Sequence, residues 1–259
     1  MRYFNVYRIC FQTAVKGALA YRSDFLLRSI ITLLSNIIFP LVTVLIYALG
    51  AQFPGWNMWE VLLLQSIYSM STGAASILFG NVLWATMDHV QQGSFETVLL
   101  KPVSPLFYLI AVNFDLESNG LFFGGLVMTV VCGVKTGSCR WENVPAFLLF
   151  FLGGLAVMSG MFLLMAAMSF KWVGNSRIPE IFDSMKSFGK YPVGIFPKKI
   201  QILCSFIIPV AVIGFLPAGA LLGRIDERAY FTLLPCALFF VAGVWVYHIM
   251  IRLYEGVGG

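Results

Sequence analysis

Apolar residues in this chain come in six long runs, at 25–49, 61–83, 106–134, 144–170, 200–222 and 230–251, and most charged residues fall in the segments between them. An α-helix needs about 20 apolar residues to cross roughly 30 Å of hydrocarbon. Only the run at 106–134 is interrupted, by Asn113-Phe-Asp-Leu-Glu-Ser-Asn119. The pattern predicts an all-α integral membrane protein of six transmembrane helices, forming a single transmembrane domain over 1–259. The connecting segments are too short to hold a soluble domain.

Three polar segments carry their own periodicity. Asn5, Arg8, Gln12 and Lys16 fall on one helical face and Phe4, Tyr7, Phe11 and Ala14 on another. This predicts an amphipathic helix over 1–22 lying along the inner membrane surface, bases toward headgroups. The alternative is a basic lead-in that frays. In the loop 88–105, Ser94 can cap a short helix, Glu96 suits its first turn, and Phe95, Val98 and Leu99 share a face. Pro102 stops that helix at Lys101. A two-turn amphipathic helix pinned between two spans has the shape of a lever for a partner protein; the alternative is a loop resting on the bilayer.

The segment 171–199 is the longest polar stretch. Ile181, Met185 and Phe188 fall at helical spacing, and two glycines and two prolines follow from Gly189 to Pro197. Hydropathy favours a helix on the inner surface followed by a tight turn into the fifth span. In the alternative, residues 178–191 enter the membrane as a partly polar helix, and Pro209 and Pro217 move into a re-entrant hairpin on the outer side.

Charge sets the orientation. With a cytoplasmic N-terminus, 13 of the 17 basic residues lie inside: Arg2, Arg8, Lys16, Arg22, Arg28, Lys101, Lys171, Arg177, Lys186, Lys190, Lys198, Lys199 and Arg252. Lys135, Arg140, Arg224 and Arg228 lie outside, in the direction the positive-inside rule requires. Both termini are then cytoplasmic. Residues 1–22 build no uninterrupted apolar core, so no cleavable leader is expected there. At 59% hydrophobic and 11% charged, the chain is far from a soluble composition. Its net charge of +5 is spread through loops, with no basic stripe carrying stacking aromatics, so no nucleic-acid partner is expected.

Catalytic patterns are sparse. The sequence has no Gly-x4-Gly-Lys-Ser/Thr phosphate loop, so it holds no ATP cradle of that kind. His89 and His248 are too few for a metal centre, and no Ser/His/Asp set converges. Cys132 and Cys139 could form a disulfide near the outer surface, although small apolar packing is the plainer reading. Asp115 and Glu117 are the ionisable residues inside an apolar run, and such groups are functional candidates by default. Two residues apart, they point to different sides of a helix. The alternative places them at the inner interface, reaching headgroup water or a neighbouring arginine such as Arg28. Gly120-Leu-Phe-Phe-Gly124 and Gly219-Ala-Leu-Leu-Gly223 match the close-packing pattern of membrane helices.

Several of these stretches together resemble a known family. The basic amphipathic N-terminus, the six spans, the loop helix from Gly93 to Lys101 followed by Pro102-Val-Ser-Pro105, and Lys190-Tyr-Pro-Val-Gly-Ile-Phe-Pro197 look like a type 2 ABC exporter permease. Phe206-Ile-Ile-Pro-Val-Ala-Val-Ile-Gly-Phe-Leu-Pro-Ala-Gly-Ala-Leu-Leu-Gly223 and Arg252-Leu-Tyr-Glu-Gly256 fit the same group. The likeness is strongest to six-span bacterial permeases encoded apart from their ATPase. It implies a bacterial inner-membrane protein acting with a second permease subunit, identical or related, and with a separate ABC ATPase that binds ATP and Mg. No cofactor is then expected in this chain. It also implies that Gly93, Ser94, Phe95, Glu96, Val98, Leu99 and Lys101 form the ATPase-coupling element. Gln91 stands where the family's Arg-x-Gly-x-x-Glu lead-in has its basic residue. ATP-driven closure would move that helix and rock the permease bundles about their interface. Cargo would meet an apolar cavity there, which favours an amphipathic or lipid-like substrate moved outward; Asn36, Gln65 and Asn81 are the polar residues nearest such a seam. The competing class is a membrane-embedded lipid-modifying enzyme using Asp115 and Glu117. A channel would want a polar pore stripe, and none is visible.

Overall fold

A backbone in lipid has no water to bond, so each peptide group must be satisfied inside its own helix. The computed structural model describes residues 2–137, 140–172 and 177–254, apart from the side chain of Arg2, and no strand occurs among them. Helix α1 (Arg2–Ala20) precedes α2 (Arg22–Ala48). The second run is one rod, Met58–Gln91, made of α3 (Met58–Ala75), a π turn (Ser76–Gly80) and α4 (Asn81–Gln91). Two short helices follow, α5 (Glu96–Leu99) and α6 (Pro105–Val112), then the long α7 (Asn119–Thr136) and α8 (Val144–Ser169). The remainder comprises α9 (Arg177–Ser187), α10 (Lys198–Ile202), α11 (Phe215–Leu221) and α12 (Leu233–Arg252).

The amphipathic N-terminus is helical, and most of its aromatic side docks on its own chain. Tyr3 meets Phe107 at 4.9 Å, and Tyr7 and Phe11 meet Phe114 at 5.2 and 5.3 Å, all edge-on; Phe4 remains exposed. Partial burial there raises the Tyr7 phenol above its ordinary value. The third run is not one interrupted span. Residues of α6 form a separate short helix beside α1 and α4, and the spanning helix begins only at Leu116 and ends at Thr136. The break and the π turn satisfy each other. A π turn displaces its carbonyls from the regular ladder, and Ile77 O accepts the Asp115 N–H at 3.1 Å.

Neighbour contacts give each helix a direction. The α3–α7 pair is antiparallel: a Cβ placed on Gly125 would stand 2.5 Å from Met70 N, one on Gly73 would stand 2.5 Å from Phe122 N, and Ser66 Oγ bonds Thr129 Oγ1 at 2.9 Å. By contrast α8 and α12 are parallel, since Phe150 meets Tyr230 at 5.2 Å, Gly160 backs onto Gly243, and Phe170 meets Tyr247 at 5.6 Å. Two neighbouring spans with the same direction require one return passage between them. The chain from 170 to 230 therefore crosses the bundle once, which keeps the count at six even though only five helices are individually long and apolar enough to cross.

That passage overturns the expectation of a surface helix followed by a fifth span at 200–222; residues 178–191 climb into the bundle instead. Lys186 Nζ stands 5.3 Å from the Phe162 ring, Lys190 Nζ 5.4 Å from the Tyr68 ring, and the Tyr191 ring 6.2 Å from Phe53 in the loop at the opposite end. Lys198–Ile207 and Val210–Leu221 then form a pair of helices bent by 77°, with Pro209 at the bend. Hydropathy counts Lys186 and Lys190 against the membrane, but it cannot see that Lys186 is bonded at 2.5 Å to Asp183 on its own helix. Lys186 and Lys190 are thus bundle residues rather than loop charges, and 171–199 is not a cytoplasmic loop throughout.

The glycine patterns divide. Gly120 is a true contact with α2, where a Cβ would reach 2.0 Å from Ser29 O, whereas Gly124 faces only the Leu33 side chain at 3.4 Å. The second pattern is not a helix seam, because Gly223 has φ +67° in the turn that ends α11 and Gly219 faces the Ile225 side chain. Cys132 is a buried free thiol, and Cys139 lies outside the described residues.

Candidate functional site

The loop after α4 turns through Gly93, whose φ of +65° suits a residue without a Cβ. Its helix α5 is a single turn rather than two. Ser94 does not cap it: the Ser94 hydroxyl shares a hydrogen bond with His89 Nδ1 at 2.9 Å, and the capping position falls to Phe95, which supplies no side-chain bond. Phe95 and Val98 do share a face, and that face looks inward. Phe95 is fully buried, edge-on to Phe170 at 4.8 Å and to Tyr254 at 5.3 Å. A partner's groove therefore has no access to Phe95 or Val98. The surface left outside consists of Glu96, Thr97, Leu99, Leu100 and Lys101, with Leu99 at 42% exposure and Leu100 at 84%. Leu100 escaped the sequence reading because it falls off the face shared by Phe95, Val98 and Leu99. Helical spacing groups residues on a face, but the aromatic floor at the ends of α8 and α12 decides which way that face turns.

The polar residues within the spans separate into two sites. Gln65 is buried and satisfied, its Nε2 donating to Thr43 Oγ1 at 2.7 Å across α2 and α3. Asn36 donates to Thr32 O on its own helix at 2.8 Å and lines an apolar cavity of about 400 Å³ among α2, α3 and α7, with Leu33, Pro40 and Phe123. Asn81, Asp115 and Glu117 come together instead, with Asp24 and Arg28, around a polar cavity of about 500 Å³ at the α1 end. Asn81 Nδ2 donates to Phe114 O at 3.4 Å. Asp115 accepts from Ser118 N at 3.3 Å and Ser118 Oγ at 2.6 Å, capping the turn that opens α7. Glu117 Oε1 lies 3.4 Å from Arg28 Nη1, and Arg28 Nε donates to Asp24 at 3.0 Å. Both carboxylates thus sit where a span begins; Glu117 engages Arg28, and Asp115 bonds Ser118 instead.

This geometry sets an expected outcome. The Arg28–Glu117 pair is about half exposed on both sides, and a pair so open to solvent contributes little to stability. Asp115→Asn and Glu117→Gln should therefore assemble and transport like the unmodified protein, while Asp115→Ala, which removes a cap, should cost about 0.5–2 kcal/mol in thermal unfolding. Lost transport with intact assembly would make the carboxylates functional groups.

Two features were not picked out from sequence. Glu60 is buried at the opposite end, closes a capping box with Asn57 (both bonds 2.9 Å), and receives a forked Arg224 at 2.5 and 3.1 Å. Asn57-x-x-Glu60 ahead of an apolar run is a readable cap signal; the pairing with Arg224, 164 residues away, is not. The other feature is the pair Lys186 and Lys190 within the bundle. No group of three His, Cys, Asp or Glu side chains able to hold a metal occurs among the described residues.

Residues 31–258 match the family described as ABC-2 family transporter protein. No curated protein and no solved structure matches the chain. The match begins within α2, runs through α12 and covers well over half of the chain, so this multi-pass membrane protein belongs to the ABC-2 transporter family, as the permease subunit of an ABC transporter.

Proposed function

We propose that the chain exports an amphipathic or lipid-like substrate across a bacterial inner membrane, driven by a separate ABC ATPase that supplies ATP and Mg, and paired with a second permease subunit, identical or related. The observation that carries this reading is the α5 turn. It presents Leu99 and Leu100 outward while Phe95 keys into Phe170 and Tyr254. A partner pulling on the exposed side would move the ends of α8 and α12 as well as α4 and α6, so the turn can transmit force to the bundle.

Other features support the remaining parts. The basic residues Arg8, Lys16, Arg22, Lys101, Lys171 and Arg252 gather at the α5 end, which favours cytoplasmic termini. Only 6% of the apolar stretch of α2 is buried in this chain, which leaves a long side for lipid or a second permease. The apolar cavity beside α2 suits an acyl-like group. In this reading chemistry happens in the ATPase, and the permease contributes two packings of its helices that bind cargo differently. The test is affinity purification of the tagged permease from its native host in mild detergent. The expected result is an associated protein with a Walker A sequence and ATP hydrolysis in the complex. A permease that carries no such subunit yet still moves substrate would overturn the reading.

A further inference from the structure

We propose that Lys190 binds the anionic head, a phosphate or carboxylate, of an amphiphilic cargo inside the membrane. This deepens the exporter reading and rests on it. The argument begins with position. Lys190 follows α9 in a 3-10 turn (Phe188–Lys190), and its ammonium stands 4.9 Å from the Phe39 ring and 5.4 Å from the Tyr68 ring. Tyr68 is ten residues into α3, about 15 Å from that end at 1.5 Å per residue. The charge therefore sits among the spanning helices, where a cation persists only with compensation.

The compensation is incomplete. Lys186, one helical turn earlier, is buried and paired with Asp183 at 2.5 Å. No carboxylate among the described residues lies within 4.0 Å of Lys190. The two ring faces attract the ammonium but carry no net charge, and Lys186 adds a like charge nearby. Asp183 acts on Lys190 from beyond contact distance, but that carboxylate is already engaged by Lys186. The site is also held in place: a Cβ on Gly189 would come 2.8 Å from Val210 O, so the turn is pressed between α3 and the bent hairpin. Tyr191 adds an apolar wall against Phe39 and Phe53, at 5.4 and 6.2 Å. A fixed cation bordered by rings recognises an anionic head attached to an apolar body better than a free, hydrated anion.

The experiment is a binding titration on the purified permease in neutral detergent, with pyrene-labelled lysophosphatidate and the matching uncharged monoacylglycerol. The expected result is binding of the phosphate compound at least about tenfold tighter, as a charge-assisted contact gives. Lys190→Gln should erase that preference, Lys190→Arg should keep it, and Lys135→Gln, which removes a cation over the Trp59 ring instead, should leave it unchanged. A second measurement needs no variant: a photoactivatable lysophosphatidate should leave its adducts on 186–196 or on the facing Phe39 and Tyr68. Equal affinities, adducts elsewhere, or displacement by inorganic phosphate as effective as by unlabelled lysophosphatidate would overturn the proposal. Because binding is measured on the permease alone, an ATPase complex without charge preference refutes this site and spares the exporter reading. Charge preference without an ATPase does the reverse.

Discussion

Gly125→Leu is expected to leave no folded permease. A Cβ at that position would stand 2.5 Å from Met70 N and 2.8 Å from Ser66 O. Both are backbone atoms of a helix locked to α7 by the Ser66–Thr129 bond, so neither can swing aside. Ordinary overpacking costs about 1–3 kcal/mol when side chains can shift. Here two helix axes must separate, and with total stability of roughly 5–15 kcal/mol the α3–α7 pair has no reserve for that. Fluorescence-detected size exclusion should show aggregate or no product. The control is one residue away. Gly124→Ala meets only the Leu33 side chain, at 3.4 Å, and should give a monodisperse peak of unchanged or slightly higher melting temperature, since alanine is the better helix former. A normal peak for Gly125→Leu would mean that α3 and α7 do not pack this way.

The second large effect separates folding from coupling within one turn of helix. Phe95→Ala empties a fully buried site between Phe170 and Tyr254, and losses of that kind cost about 3–5 kcal/mol. It should lower the melting temperature of the isolated permease. Leu99→Asp with Leu100→Asp touches only the outward side and should leave that temperature unchanged. If the outward pair is buried by the ATPase, each leucine contributes roughly 1.5–3 kcal/mol, and ATPase capture in a pull-down should fall at least about tenfold. Undiminished capture and hydrolysis in the double aspartate variant would remove α5 as the coupling element.

Much of the architecture was legible because lipid enforces a simple code. An uninterrupted apolar run of sufficient length has no option but a helix, so 25–49 and 144–170 appear close to their observed ends. Asn113 to Asn119 announced a break, and Arg28 was a foreseeable partner because it lies at the same depth on α2. Three things were hidden, each set by contacts distant in sequence. The inward turn of Phe95 depends on Phe170 and Tyr254. The entry of α9 depends on Asp183 neutralising Lys186 and on ring faces from α2, α3 and α8. The Arg224 fork on Glu60 joins loops on separate spans. Local hydropathy assigns a fixed cost to every lysine, whereas the fold changes that cost by what it places alongside.

The parallel pairing of α8 and α12 carries a consequence for biogenesis. The passage between them holds Lys186 and Lys190, and each lysine at the centre of a helix opposes insertion by about 2.5–3.5 kcal/mol. On leaving the ribosome this stretch has no reason to enter lipid unaided, and α12 has yet to be made. The side chains that flank its lysines belong to α2, α3 and α8, all synthesised earlier. Its entry therefore depends on helices made before it: α2, α3 and α8 must stand as neighbours before the stretch can settle among them, and until then the nascent protein holds a polar segment at the bilayer surface.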